Sequence, residues 1–513
     1  MGLYENRPNR LVIPRWRDFK DTAKSGELSK GKIKSSPIVP TITCKKQLID
    51  WQNYKSIANA LELVNSAFVS GEINLAKDAA IFILENCKDD NNPVIKIANL
   101  ILNKSDNKQG AKAVQNTFDT LEEKIKLKIQ DIRRRLNIFP NNPVLWIDFA
   151  RWYTIIGKFD KAEKCIITAL QLAPNNVFIL RCSVRFFIHK SKYDANDKES
   201  AVYALRLIRK NPATKFDPWL MATEISLCSY LKKTSNLMKA GFSLIEAKQF
   251  SAFALSELTS AIATVELSNG GGKTKKLFSQ SLIDPNENSV AQAQWASNLI
   301  GGIQFNSTGF NSHEANSYHN QSIEKWDEAF DESLNWLVDE PFSSSSANHA
   351  SYIAAAVIDN NEIAIKVCDF GLRSNPNEFT LLNNKAYSQA VENLIEDAET
   401  TFNQIIFNSL HEHEKVTYYA TKGLIHFRKG NNEKGNSFYD EAESLAKKLK
   451  DDVTAFRVKV YKLRSQHICG CCEIDEKIAF QELAKEMGKF NKPDLVKTMK
   501  NVKNRLGLTE NVE

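Results

Sequence analysis

The stretch PVLWIDFARWYTIIGKFDKAEKCIITALQLAPNN, residues 143–176, decides the fold of this chain. Apolar side chains recur in it at helical spacing, and Gly157 stands where a first helix would end and the chain would reverse. Ala162 and Ala169 are small, so a second helix can approach the first closely. Pro174 ends that helix, because proline lacks a backbone donor and clashes with the preceding turn. The stretch therefore predicts a helical hairpin, and its pattern is carried by Trp146, Phe149, Ala150, Tyr153, Gly157, Phe159, Ala162, Ile166, Ala169 and Pro174.

A single hairpin of this kind cannot bury its own apolar face, so it needs similar neighbours. Weaker copies of the pattern do flank it, and most keep glycine or alanine at the matching places. Between residues 217 and 250 the repeat pattern cannot be aligned to a unique register. The copies span about residues 57–90, 177–212, 345–378, 379–412 and 416–449, with a further one ending at Pro285.

These spaced residues resemble the tetratricopeptide repeat (TPR) family over about residues 50–450. The resemblance implies an all-α fold, a TPR-like right-handed superhelical solenoid of helix-turn-helix repeats with a C-terminal helical cap. It also implies a non-enzymatic adaptor or scaffold. Partner proteins would bind in a concave groove lined by the first helix of each hairpin.

The repeat register and local composition predict five parts. Residues 306–321 are rich in Asn, Ser and His, so a long exposed loop is expected there. This loop either divides the solenoid or is an insertion without a role. The predicted parts are a basic extended arm (1–45), an N-terminal TPR-like solenoid (46–300), a polar loop insertion with a linking helix (301–345), C-terminal TPR-like repeats (346–450) and C-terminal capping helices (451–513).

Composition excludes several other classes of protein. Hydrophobic residues make up 42% and charged residues 25%, and 20 glycines and 14 prolines are too few for a collagen-like or Pro-rich chain. No apolar stretch is long enough for a membrane-spanning helix, and the first 24 residues lack the apolar core of a secretory signal. Nine scattered cysteines, an odd number, indicate reduced thiols and hence a cytoplasmic protein. The net charge of +7 permits an acidic partner without requiring nucleic acid.

Basic residues at groove positions indicate a partner-binding surface. In the hairpins that begin at residues 143 and 177, the TPR register places Arg151, Arg181 and Arg185 beside Phe178. Guanidinium groups bind carboxylates bidentately, so the predicted partner is a protein with an acidic or extended segment. A solvated basic face without a ligand is the open alternative. Asn383 occupies a matching position in a later hairpin and is predicted to bond a ligand backbone.

The first 45 residues carry many basic side chains, which predicts an extended arm with an apolar anchor near Trp16. In the adaptor hypothesis, Arg7, Arg10, Arg15 and Arg17 make a second contact with the partner. The competing hypothesis is a regulatory or sensor subunit of a multiprotein system, for example in stress or phage defence, that also contacts nucleic acid through its phosphates. That role would draw on further basic residues of one helix, namely Lys124, Lys126, Lys128, Arg133, Arg134 and Arg135.

Motifs for catalysis or metal binding are weak. GGGKT at residues 270–274 lacks the earlier glycine and the leading strand of a P-loop, so it is interpreted as a flexible turn. His467, Cys469, Cys471 and Cys472 could ligate zinc, but no second ligand pair lies nearby in sequence, so metal binding stays open. No nucleophile motif is recognisable. The sequence therefore predicts no enzyme activity and no cofactor, and it assigns no residue as a metal ligand.

Overall fold

The computed structural model describes residues 10–19, 41–70, 72–87, 93–102, 111–193, 198–303, 312–472, 475–490 and 492–508. Over these ranges the chain forms 25 α-helices and no β-strand. The predicted all-α solenoid of helical hairpins is therefore confirmed. No helix in these ranges combines the length and the apolar character needed to cross a membrane.

The helices follow one another with short connections. The first twelve are α1 (Thr41–Asn53), α2 (Ile57–Ser70), α3 (Lys77–Asn86), α4 (Pro93–Ile101), α5 (Ala111–Ile138), α6 (Pro143–Ile155), α7 (Phe159–Leu172), α8 (Val177–Tyr193), α9 (Lys198–Lys210), α10 (Pro218–Tyr230), α11 (Met238–Ala247) and α12 (Ala252–Ser268). The others are α13 (Thr274–Ser281), α14 (Glu287–Ile300), α15 (His313–Ser322), α16 (Trp326–Asp339), α17 (Ser344–Tyr352), α18 (Asn361–Leu372), α19 (Phe379–Val391), α20 (Ile395–Phe402), α21 (Glu412–Arg428), α22 (Asn432–Lys448), α23 (Asp452–Cys469), α24 (Glu476–Met487) and α25 (Pro493–Arg505).

The chain forms two compact units. The N-terminal unit contains residues 17–154 and 158–179, and the C-terminal unit contains residues 10–16, 155–157 and 180–508 among the described positions. Within each unit, helices pack mainly on their neighbours in sequence, as α2 does on α3 and α21 does on α22. The boundary lies near residues 154–180, whereas the sequence pattern placed a possible division at residues 301–345.

Residues 143–176 form the predicted hairpin from α6 and α7. Ala162 and Ala169 of α7 are fully buried, as the close approach of two helices requires. α7 ends at Leu172, two residues before Pro174. Gly157 follows α6 with a φ of +70°, a left-handed conformation that glycine adopts without steric strain.

Gly157→Ala is expected to destabilise the C-terminal unit by at least about 2 kcal/mol, since two effects add. An L-residue in the left-handed conformation costs about 1–2 kcal/mol. A Cβ here would also lie 2.3 Å from the carbonyl oxygen of Arg373, and shifting that backbone costs about 1–3 kcal/mol more. The measurement is chemical unfolding of the full chain.

Gly430→Ala is the matched control for Gly157→Ala. Gly430 has a φ of +75°, and a Cβ there would meet no atom within 4 Å. This variant therefore carries the left-handed strain alone, and its loss of stability should be smaller. Equal losses of stability in Gly157→Ala and Gly430→Ala would show that the contact with the Arg373 carbonyl oxygen adds no cost.

The expectation of a long loop over residues 306–321 is wrong for its second half, which forms α15, His313–Ser322. The first part, up to residue 311, lies outside the described residues. Ala315 and Ser317 are fully buried, and the Ser317 hydroxyl donates a 2.6 Å hydrogen bond to the carbonyl of Ala329 in α16. Packing on α16 thus overrides the low helix propensity of Asn, Ser and His, which is all that composition reports.

Three helices, α23 to α25, follow the last repeat, as predicted for residues 452–508. Their apolar side chains form one core that includes Phe456 and Leu495. Arg457 of α23 donates to Asp494 of α25 at 2.9 Å, and Tyr352 of α17 donates to the same carboxylate at 2.5 Å. A buried polar contact therefore fastens α25 to the helices before it.

Candidate functional site

Residues 10–16, here called the N-terminal segment, form no helix and lie on the helices of the C-terminal unit. Val12 is 1% exposed and belongs to a hydrophobic core formed largely by α10, α12, α13 and α14. Trp16 is fully buried, with its ring centroid 6.3 Å from that of Phe186 and 5.6 Å from that of Phe342. Two apolar side chains thus anchor the segment.

Amide side chains of α14 bind the main chain of this segment. Gln292 Nε2 donates to the Arg10 carbonyl oxygen at 2.7 Å, and Asn288 Nδ2 donates to the Ile13 carbonyl oxygen at 2.9 Å. Gln292 Nε2 also donates to Thr264 Oγ1 at 2.9 Å, which orients the amide. The segment is therefore held in the way an extended peptide ligand is held, by hydrogen bonds to its backbone.

Arg10 makes a paired contact with one carboxylate. Its Nε and Nη2 donate to the two oxygens of Glu314 at 2.9 and 3.0 Å. Its Nη1 donates to Gln292 Oε1 at 2.6 Å, and Nη2 also donates to Asn288 Oδ1 at 3.0 Å. A planar fork on a carboxylate is a strong and geometrically selective interaction, so this site selects arginine over lysine.

Arg15 lies among four carboxylates. Its Nη2 donates to Glu314 at 2.7 Å. Its Nη1 lies 3.5 Å from Glu287, 3.7 Å from Glu340 and 3.8 Å from Asp339. Only 4% of the Arg15 side chain is exposed. Glu314 therefore joins both arginines of the segment in a nearly dry site.

Burial and charge act in opposite directions in this cluster. Burial alone would lower the pKa of Arg15, but the adjacent carboxylates, led by Glu340, hold that pKa above its usual value. Burial alone would raise the pKa of Glu340, but Arg15 and Arg185 hold it below its usual value. The charges of Arg15 and Glu340 therefore depend on each other, since each offsets the cost of burying the other.

Arg181, a predicted groove residue, binds a carboxylate of its own unit. Its Nη1 donates to Glu257 at 2.8 Å, and its guanidinium carbon lies 4.8 Å from the ring centroid of Trp219. The other oxygen of Glu257 accepts from Asn288 at 3.1 Å and from Asn286 at 2.9 Å. Arg181 thus supports the amide that binds the N-terminal segment.

Arg185, also predicted for the groove, stacks on the aromatic ring that contacts Trp16. Its guanidinium carbon lies 4.8 Å from the ring centroid of Phe342. Burial, together with the nearby charge of Arg15, lowers the pKa of Arg185, while Glu340 opposes the shift. This arginine therefore forms part of the wall behind the segment.

In the N-terminal unit, two further predicted residues contact the chain itself. Arg151 is 6% exposed, and its Nη1 lies 3.3 Å from Asp18 Oδ1. The ring centroid of Phe178 lies 5.2 Å from that of Phe19, whose backbone N–H donates to Asp148 at 3.0 Å. Arg17 is 9% exposed, and Arg7 lies outside the described residues.

Asn383 of α19 is 1% exposed, and neither polar atom of its amide has a hydrogen-bond partner among the residues that the structure describes. One turn farther on, Tyr387 lines a cavity of about 20 Å³ together with Thr421 and Tyr461. That volume suits a single water molecule. The predicted bond from Asn383 to a ligand backbone stays a prediction.

The cluster of His467, Cys469, Cys471 and Cys472 lies at the end of α23 and directly after it. His467 Nδ1 lies 2.9 Å from Glu476 Oε2, and Cys469, Cys471 and Cys472 are half-buried. Within the described ranges, no three His, Cys, Asp or Glu side chains are placed to hold one ion.

The basic residues of α5 also have partners in the N-terminal unit. Lys128 Nζ lies 3.8 Å from Asp18, and Arg133 Nη2 donates to the Tyr153 hydroxyl at 3.1 Å. The remaining pairs join Lys126 to Glu123, Arg134 to Glu62 and Arg135 to Asp131. None of these contacts favours nucleic acid over protein as a partner.

Comparisons with known proteins assign no family to this chain. No protein-family model matches the sequence, and no curated protein matches it significantly. Similar solved structures include yeast Tom70 (12% identity, covering 90% of this chain and 98% of that one, TM-score 0.29) and the APC/C hetero-tetramer Cut9–Hcn1 (13%, 90% and 89%, 0.24). A third is Naa15/Naa10 bound to HypK-THB (14%, 88% and 87%, 0.22).

The sequence pattern did not reveal the acidic and amide side chains that bind the segment. One signal could have done so, because α14 has no charged residue after Glu287 and the run from Asn288 to Ala296 is wholly buried. A helical stretch without a charged face is suited to burial, and buried amides require polar partners. The side chains that were missed are Glu257, Glu287, Asn288, Gln292, Glu314, Asp339 and Glu340.

Proposed function

We propose that this chain is a non-enzymatic adaptor that binds a partner protein through the helices around its N-terminal segment. The observation that carries the proposal is the pair of hydrogen bonds from Gln292 and Asn288 to main-chain carbonyls of an extended segment. In peptide recognition, main-chain hydrogen bonds contribute affinity and side-chain pockets contribute specificity. This surface offers both, because the Trp16 pocket lies beside the two arginine sites.

The predicted partner contacts at Arg151, Phe178, Arg181, Arg185 and Asn383 remain part of the proposal, as does a cytoplasmic location. The contacts within the chain add a condition. Arg151 already pairs with Asp18, and Arg181 already pairs with Glu257. An acidic partner segment would therefore have to compete with carboxylates of the chain itself.

The adaptor function predicts a protein partner that cross-links near α14 and α15. The full chain, purified by affinity from its native cell with in-cell cross-linking, should yield one or more stoichiometric proteins. Mass spectrometry of the cross-linked peptides should place them near residues 287–322. Cross-links confined to other helices, or the recovery of no stoichiometric protein, would contradict the proposal.

Nuclease treatment distinguishes the adaptor from the competing hypothesis, a regulatory or sensor subunit that also contacts nucleic acid. Phosphate contacts make nucleic-acid affinity fall steeply with salt. Capture that is lost after nuclease digestion and at raised salt would favour a subunit that contacts nucleic acid. Capture that survives both treatments would favour the adaptor.

A further inference from the structure

We propose that the acidic surface around Glu314 is a receptor for extended basic segments, which the chain's own N-terminal segment occupies and which a basic segment of a partner protein enters by displacing it. This inference rests on the adaptor function proposed above. It reverses the charge expected of the partner, because the surface that receives a peptide here is lined by carboxylates.

The charges of the site select an occupant with two arginines. Glu314 receives hydrogen bonds from both arginines, from Arg10 at 2.9 and 3.0 Å and from Arg15 at 2.7 Å. Glu287, Asp339 and Glu340 lie within 3.8 Å of Arg15. An acidic or neutral occupant would leave these buried carboxylates without compensation, which is strongly unfavourable.

The spacing of the anchors adds specificity. Four residues separate the two arginines that bind Glu314. Of these, Val12 packs in the hydrophobic core and Ile13 accepts a hydrogen bond from Asn288 through its carbonyl oxygen. Trp16, directly after the second arginine, fills a pocket lined by Phe186 and Phe342. The recognised pattern is therefore an arginine, four residues and an Arg-Trp pair in an extended conformation.

Occupation by the chain's own segment weakens binding of any outside peptide. The apparent affinity falls by the fraction of molecules whose site is vacant, so a site vacant in a tenth of molecules binds about tenfold more weakly. A tethered segment also competes at a high effective concentration. A partner would therefore need either a tighter version of the pattern or further contacts.

A peptide of residues 9–19 tests the proposal. Its labelled form is titrated against the wild-type chain and against the full chain carrying Arg10→Ala and Arg15→Ala, with a control peptide in which both arginines are glutamate. The variant should bind the native peptide at least tenfold more tightly than the wild type does and should ignore the control peptide. A variant with wild-type circular dichroism that does not distinguish the peptides would overturn the proposal.

The wild-type chain supplies a second test that does not depend on how the variant folds. An excess of the native peptide should release the segment. Tryptic cleavage of the chain after Arg15, measured by mass spectrometry, should then be several-fold faster. An unchanged cleavage rate at saturating peptide would mean that the segment is a fixed part of the fold, and the proposal would fail.

Two outcomes separate this inference from the adaptor function. Peptide binding without capture of any partner protein would overturn the adaptor function and keep the receptor site. Dimers formed by mixing the wild-type chain with the variant, detected by sedimentation, would assign the occupant to a second copy and overturn the partner-protein form of the proposal.

Discussion

Arg15→Ala in the full chain is expected to destabilise the C-terminal unit by about 3–5 kcal/mol at pH 7, the range seen when one partner of a buried ion pair is removed. The side chain is 4% exposed and compensates several carboxylates at once. Its loss leaves Glu314 and Glu340 close together with less positive charge. Chemical unfolding of the full chain, with hydrogen exchange of α14 to α16, measures the effect.

The effect of Arg15→Ala should shrink as pH falls. In the folded wild type the pKa of Glu340 lies below its usual 4.5, so the stability from its charge is present above that value and is lost as pH falls through the lower, folded pKa. In the variant, the larger of the two cationic influences on Glu340 is gone and only Arg185 remains, so the pKa of Glu340 should be higher than in the wild type and protonation should relieve the repulsion at a higher pH. The difference between the two proteins should be greatest at pH 7 and smaller near pH 4.5.

Two controls frame this prediction. Arg15→Lys keeps the charge but loses the planar fork, so its loss of stability should be intermediate. Arg134→Ala removes an arginine whose side chain is 71% exposed and 3.9 Å from Glu62, and an exposed pair contributes at most about 1 kcal/mol. Equal stabilities for Arg15→Ala and Arg134→Ala would show that the carboxylate cluster is not held by Arg15.

Asp494→Ala is expected to have the second large effect, a loss of about 3–5 kcal/mol in the stability of the C-terminal helices. Asp494 is 2% exposed and accepts from Arg457 and Tyr352. Without the carboxylate, the buried Arg457 guanidinium, whose Nη1 lies 2.9 Å from the Tyr352 hydroxyl, loses the negative charge that compensates it. Faster proteolysis of α24 and α25 at native conditions should accompany the loss.

A double variant separates charge from packing at this contact. Arg457→Met combined with Asp494→Leu removes both charges and keeps similar volume, and such replacements are often neutral. The double variant should therefore be more stable than Asp494→Ala alone. A double variant that loses the sum of the two single effects would contradict the ion-pair explanation.

Much of the fold was predictable because the repeat pattern is local. The residues that build a hairpin lie within 143–176, and glycine, alanine and proline there act through short-range sterics that one sequence displays. The error over residues 313–321 arose where tertiary packing outweighs propensity. The propensity of serine favours a loop at Ser317, but in the structure its hydroxyl donates a hydrogen bond to the carbonyl of Ala329.

The candidate site was predictable only in part. Arg10, Arg15 and Trp16 could be singled out, but their partners could not, because Arg10 and Glu314 are 304 positions apart in the chain. No spacing rule links residues at such a separation. The sign of the interaction was also hidden, since a basic arm is compatible with an outside anion as well as with carboxylates of the same chain.

That separation has a consequence for biosynthesis. Ribosomes add about 5–20 residues per second, so residues 10–16 are made roughly 15–60 s before Glu314 follows them. During that interval a nascent chain carries Val12, Trp16 and two arginines with no carboxylate cluster to receive them. The helices that carry this cluster are made long after the segment they receive, so a translation product truncated before α14 should be recognised by chaperones through this exposed apolar stretch.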